Sequence, residues 1–100
     1  MIVPVSFAPK AQQDLTDIHS YIASDNPVRA RTYLRELAAA CRKLGDMPEM
    51  GRLRDDLGEG RRSLSFRKRQ TIMYQVHSDR VEILRIFSAG QDLGLLLAED

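Results

Sequence analysis

The sequence predicts an α+β domain in which an antiparallel helical hairpin packs on a mostly antiparallel four-stranded sheet, in the order β-α-α-β-β-β. Two consecutive stretches place their apolar residues at alternating spacings of three and four, the period of a helix with one buried stripe. Only a short polar break separates them, so the second helix must double back on the first. After a glycine-containing loop, three segments rich in β-branched and aromatic residues follow one another through tight links, the pattern of a meander.

Each element has its own local cause. Ile2 to Phe7 is rich in β-branched and aromatic residues and reads as a short strand. Pro9 suits the first turn of a helix, where its missing N–H costs nothing. Ala8, Ala11, Leu15, Ile18 and Ile22 then form one stripe, with Lys10, Gln13, Asp14, Asp17 and Ser20 mostly on the other side. Ser24-Asp25-Asn26-Pro27 interrupts the pattern: Asn26 is a good N-cap and Pro27 a good first helical residue. The second stripe is Ala30, Leu34, Leu37, Cys41 and Leu44, and Gly45 with Pro48 ends it. Leu15, Ile18, Leu34, Leu37 and Leu44 are therefore expected to be largely buried. A loop from Asp46 to Gly60 leads to strands at Arg61–Phe66, Gln70–His77 and Val81–Ser88. In the middle strand Ile72, Tyr74 and Val76 share one face. The last is more apolar, which suits a central position. The helices cannot bury their seams on each other alone, so the pair should cover one face of the sheet. Leu93, Leu95, Leu96 and Leu97 mark a short helix or a docked tail.

The 100 residues are expected to form one domain, 1–100, with 43% hydrophobic and 29% charged residues. No apolar run approaches the roughly 20 residues that span a bilayer. The apolar start MIVPVSF lacks a basic lead and a long apolar core, so no signal peptide is expected and the cytoplasm is the simplest address. Cys41 is the single cysteine, which excludes an internal disulfide and a cysteine-built metal site. The net charge of +1 hides an asymmetry. Between Arg61 and Arg85 there are seven basic residues (Arg61, Arg62, Arg67, Lys68, Arg69, Arg80, Arg85) against Asp79 and Glu82. Such a face can attract nucleic acid or an acidic protein segment, or it can simply keep a solvated sheet edge from pairing.

The pieces in order resemble the ParE branch of the RelE/ParE toxins. The first helix carries SFAPKAQQDLTDIHSYI and the second NPVRARTYLRELAAACRKL. MPEMGRLRDDLGEGRRSL leads into the sheet, RQTIMYQVHSDRVEILRIF forms the paired strands, and SAGQDL trails them. The resemblance covers nearly the whole chain and rests on order and spacing, since each piece alone is a loose pattern. It implies a RelE/ParE-like fold and a toxin of a type II toxin–antitoxin system that inhibits DNA gyrase and blocks replication. It also implies neutralisation by a ParD-like antitoxin, with a ribbon-helix-helix N-terminal part and a C-terminal tail that wraps the toxin. The alternative within the wider family is a RelE-type ribosome-dependent mRNA interferase; a third is a toxin-derived module that keeps only its antitoxin.

An RNase that uses the RNA 2′-hydroxyl as nucleophile needs a general base, a general acid and cations around the phosphate. Arg62, Arg67, Lys68, Arg69, Tyr74 and Arg85 offer cations and a phenol, and His19 and His77 are the only histidines. His19 reads as a helix-flank residue, His77 as part of the Ser78-Asp79 turn, and Tyr74 as a core residue whose hydroxyl finds a partner. RelE-like nucleases tend to carry a polar acid–base or stacking residue at the end of the last strand, and many ParE sequences a histidine. This chain has Phe87-Ser88, where Phe87 cannot move a proton. No catalytic residue is assigned. Arg85, between Ile83 and Phe87, needs a partner if buried and otherwise snorkels. Asp14 and Asp17 read as acids placed by the helix dipole. There is no GxxxxGK[ST] or GxGxxG phosphate loop, no HExxH and no nucleophile elbow, so neither cofactor nor metal is expected. The candidate antitoxin- or target-binding residues are Arg61, Arg62, Arg67, Lys68, Arg69, Arg85, Leu93, Leu96 and Leu97.

Overall fold

The computed structural model describes residues 2–89. Its elements are β1 (Val5–Phe7), α1 (Pro9–Ala23), α2 (Pro27–Lys43), β2 (Arg52–Leu53), a 3-10 turn (Asp55–Leu57), β3 (Arg61–Phe66), β4 (Gln70–Val76) and β5 (Val81–Ser88). The strands make one five-stranded sheet in the order β1-β5-β4-β3-β2. β1 runs parallel to β5 and the other neighbours are antiparallel. The expected order of elements holds, with a fifth strand added. Arg52 and Leu53, inside the segment read as loop, pair with Ser63 and Arg62. Both edges of the sheet are thus very short strands, which limits pairing with other chains.

The hairpin of helices forms as its punctuation dictates. Asn26 Oδ1 accepts the Arg29 N–H at 3.0 Å, and Pro27 is the first helical residue. Arg42 and Lys43 occupy the last turn of α2, where the helix dipole favours cations. Gly45 is required for a different reason from the one its position after the helix suggests. A Cβ there would collide with the Val3 carbonyl oxygen, so only glycine lets the chain entering β1 pass so close. The Val3 N–H donates back to the Gly45 carbonyl at 3.0 Å, tying the end of α2 to the start of β1.

One core unites the layers. Ala11 and Ile18 of α1 meet Tyr33, Leu37, Cys41 and Leu44, above Ile72, Tyr74, Val81, Ile83 and Ile86 of the sheet. Ile18, Leu37 and Leu44 are buried as expected, while Leu15 and Leu34 sit half-buried on its flank. Tyr33 is buried as well, one position off the apolar stripe. Ile72 and Tyr74 face the helices together, but Val76, expected on the same face, is exposed at the end of its strand. Opposite them, β5 carries a bulge: Tyr74 pairs with Ile83 and Met73 with Arg85, leaving Leu84 extra. A bulge re-aims the side chains beyond it, and here those are Arg85 to Ser88. None of the described helices is long and apolar enough to cross a membrane.

Candidate functional site

β1 ends at Phe7, opposite Ile83, whereas β5 runs on to Ser88. Beyond that point no strand among the described residues lies beside the outer edge of β5, and α1 takes the place. The Asp14 carboxylate accepts the Ile86 N–H at 2.8 Å, doing the work of a strand carbonyl. It also accepts from Arg85 Nε at 2.9 Å and Nη2 at 3.2 Å, a forked charge-assisted pair. Asp14 lies in the sixth position of α1, past the first turn, so its placement follows from this tertiary contact and not from the helix dipole. Arg85, for its part, has the partner that its position in an apolar strand demanded. Its guanidinium carbon also sits 4.9 Å from the centroid of the buried Phe87 ring.

Next to this junction a groove of about 450 Å³ opens between α1 and the far ends of β4 and β5. Ile18, Ile22 and Ile86 line it with apolar surface, Asp14 and Asp17 stand on one side, and Arg69 and Gln70 on the other. Tyr33 from α2 also lines it, its hydroxyl donating to Gln70 Oε1 in a buried hydrogen bond. Burial raises the Tyr33 phenol pKa above its ordinary value, against the opposing pull of Arg69, Arg67 and Arg29. Tyr21 projects into solvent beside it, 83% exposed.

The β3–β4 connection bounds the same end of the molecule. Arg69 N–H donates to Phe66 C=O at 3.0 Å, closing a turn whose central residues, Arg67 and Lys68, have φ of 52° and 57°. Left-handed backbone costs a non-glycine residue about 1–2 kcal/mol, and such turns favour Asn-Gly. Two basic residues here accept that strain at an exposed tip. Arg67 is drawn back onto the protein: its Nη2 lies 2.5 Å from Glu36 Oε2, and its guanidinium carbon is 5.8 Å from the Tyr33 ring and 5.0 Å from the Phe66 ring. Arg29 covers the same Tyr33 ring at 5.2 Å. Arg29, Arg67, Lys68 and Arg69 thus make a basic cluster in which Glu36 is the nearby acid.

The candidate residues do not gather at one place. Arg67, Lys68 and Arg69 form the basic tip. Arg61 and Arg62 lie at the other end of β3, where they clasp the preceding loop: Arg61 Nη1 donates to Leu57 C=O at 3.0 Å and Arg62 Nη1 to Gly51 C=O at 2.9 Å. Arg85 is engaged with Asp14 at the sheet edge. Leu93, Leu96 and Leu97 lie outside the described residues, as do Leu95 and the expected short helix or docked tail. Arg29, Tyr33, Gln70 and Asp14 escaped the reading from sequence. The spacing of four between Arg29 and Tyr33 was the one local signal that could have linked two of them.

The possible proton-transfer groups are held apart. The Tyr74 hydroxyl donates to Pro48 C=O at 2.7 Å and accepts the Gly51 N–H at 2.8 Å, fixing the loop after α2 from inside the core. Gly51 must be glycine, because a Cβ would stand 2.5 Å from that hydroxyl. His77 Nε2 is 2.9 Å from Glu82 Oε1 and its N–H donates to Arg80 C=O, as a turn residue would. Neither Tyr74 nor His77 stands beside Arg85 in an open basic cleft. Among the described residues no group of His, Cys, Asp and Glu could hold a metal ion.

Comparison with known proteins agrees with this geometry. The family model described as "ParE toxin of type II toxin-antitoxin system, parDE" matches residues 5–93. A solved structure titled "Chromosomal ParDE TA system from P. aeruginosa" superposes with a TM-score of 0.74 at 21% identity, covering 87% of this chain and 96% of that one. At that identity the likeness speaks for a shared fold. No curated protein matches the sequence.

Proposed function

The chain belongs to the ParE toxin family and is a toxin of a type II toxin–antitoxin system; from that premise we propose that it acts by binding, as an inhibitor of DNA gyrase in the bacterial cytoplasm. The observation that carries the non-catalytic reading is the separate engagement of Tyr74, His77 and Arg85, each in hydrogen bonds that hold the fold. A general acid and base must both reach one scissile phosphate, and these groups point at Pro48, Glu82 and Asp14 instead.

The same reading assigns the groove and the basic tip to partners. A ParD-like antitoxin, with a ribbon-helix-helix part and a tail that wraps the toxin, would lay an amphipathic segment over Ile18, Ile22 and Ile86. Acidic residues of that tail would meet Arg29 and Arg67 to Arg69. A tail that orders on binding can cover more surface than the roughly 1,600 Å² of a standard interface. Two assays test the proposal on purified toxin. Loss of gyrase supercoiling activity, restored by antitoxin, is the expected result. Cleavage of mRNA on translating ribosomes, with supercoiling untouched, would overturn it in favour of a RelE-type interferase.

A further inference from the structure

The solvent face of α2 is a row of arginines that the groove and the basic tip do not use. Arg31, Arg35 and Arg42 are all exposed and, at spacings of four and seven, lie on one side of the helix. None of the three has an ion-pair partner among the described residues. Glu36, the one acidic residue of α2, is turned to Arg67. An ordinary solvated helix face mixes signs, and opposite charges four apart stabilise it by roughly 0.2–0.5 kcal/mol. Arg31 and Arg35 are like charges at that spacing, so the face gives up about the same amount when nothing is bound.

We propose that this face docks on the phosphate backbone of duplex DNA. From Arg31 to Arg42 the helix rises about 16 Å, and a duplex presents about ten negative charges over such a length. The residues between the arginines decide the class of partner. Thr32, Ala38 and Ala39 are small, and Val28 is the largest apolar side chain near them. A protein partner needs an apolar anchor at the centre of its interface, and a lipid surface needs bulky apolar side chains to insert. This face has neither. Phosphate recognition needs only guanidinium forks and a backbone that can come close, which small neighbours allow. The choice of duplex DNA over RNA rests on the proposed gyrase target, whose substrate is duplex DNA; the charge argument does not.

The test is fluorescence anisotropy of a labelled DNA duplex of two helical turns, titrated with toxin over a range of salt. For the wild type, log K should fall with log salt. Arg31→Gln/Arg35→Gln/Arg42→Gln should flatten that slope by about 2.7, at roughly 0.9 for each phosphate that is no longer neutralised. A fourfold rise in salt would then weaken the wild type about 40-fold more than the variant. The three lysine substitutions should keep the slope, and the glutamine variant should melt no lower than the wild type, because it relieves repulsion. Wild type that does not bind the duplex, or a glutamine variant with unchanged slope, overturns the proposal. A variant that loses antitoxin affinity while keeping DNA affinity also overturns it, by giving the face to the antitoxin. Tighter binding to an RNA duplex overturns the choice of DNA. If the toxin fails to inhibit gyrase yet the variant still loses its salt slope, the target reading falls and this one stands.

Discussion

Replacing Asp14 with alanine should remove a large share of the stability of this domain. The carboxylate accepts Arg85 Nε, Arg85 Nη2 and the Ile86 N–H at 2.9, 3.2 and 2.8 Å. The two side chains are 14% and 15% exposed, so water replaces little of what is removed. Removing one partner of a buried pair costs about 3–5 kcal/mol, because the remaining charge loses its counter-charge. Residual solvent access places this pair at the lower end, about 3 kcal/mol. The orphaned Ile86 N–H supplies part of that, since an unsatisfied buried donor costs about 1–3 kcal/mol. Domains of this size hold only about 5–15 kcal/mol in total, and Tm should fall by about 12–24 °C. Asp14→Asn keeps an oxygen for the Ile86 N–H and should lose about half as much. Urea and thermal denaturation of Asp14→Ala, Arg85→Met and the double variant measure the coupling. The double variant should be less unstable than the sum of the singles by more than about 1 kcal/mol, without full recovery, because Ile86 still lacks its acceptor. A loss below about 1 kcal/mol for Asp14→Ala, or strict additivity, would refute the idea that this carboxylate substitutes for a strand.

Three other perturbations read other parts of the structure. Tyr74→Phe deletes both bonds of the phenol and leaves the buried Gly51 N–H without its acceptor, so about 2 kcal/mol should be lost in urea denaturation, with faster hydrogen exchange at the Gly51 amide. Burial pushes the Cys41 thiol up from 9.0 to about 12, so its neutral form is held by the fold. That contribution is complete below pH 9.0 and is lost as pH climbs to about 12; at about 1.4 kcal/mol per unit it amounts to roughly 4 kcal/mol. Denaturation midpoints should therefore fall through this range, and less steeply in Cys41→Ala, while Tyr33 and Tyr74, also raised by burial, add a decline common to both proteins. Charge reversal at Arg67 and Arg69 should slow antitoxin association at low salt in stopped-flow mixing, with little change in dissociation; an unchanged association rate would reduce the tip to a solvated turn.

The helices and the main strands were legible in the sequence because their signals are local. A stripe such as Ala30, Leu34, Leu37, Cys41 and Leu44 needs only the helical period, and β5 has the predicted limits, Val81–Ser88. β2 was hidden because two residues cannot show an alternation. The β3–β4 turn was legible in place, between Phe66 and Gln70, but not in kind, because Arg67 and Lys68 adopt a backbone that their residue types resist. Half of the Asp14–Arg85 pair was visible: an arginine in an apolar strand implies a partner. The identity of that partner depends on the parallel pairing of β1 with β5, which brings α1 to the exposed edge from the far end of the chain.

The basic residues show why a binding surface is harder to read than a core. Arg61, Arg62, Arg67, Lys68 and Arg69 are one run in sequence, yet β3 is extended between them, and a strand advances about 3.3 Å per residue. The run therefore divides into two arginines that clasp a loop at one end and a basic tip at the other. In space the tip is completed by Arg29, which lies on α2 and over the Tyr33 ring. Burial imposes a period on the sequence that a single helix or strand must obey. A charged surface imposes none, because it is assembled from the ends of several elements. The strained turn at Arg67 and Lys68, where the strand period breaks at an exposed tip, is accordingly part of the surface that the proposed reading gives to a partner.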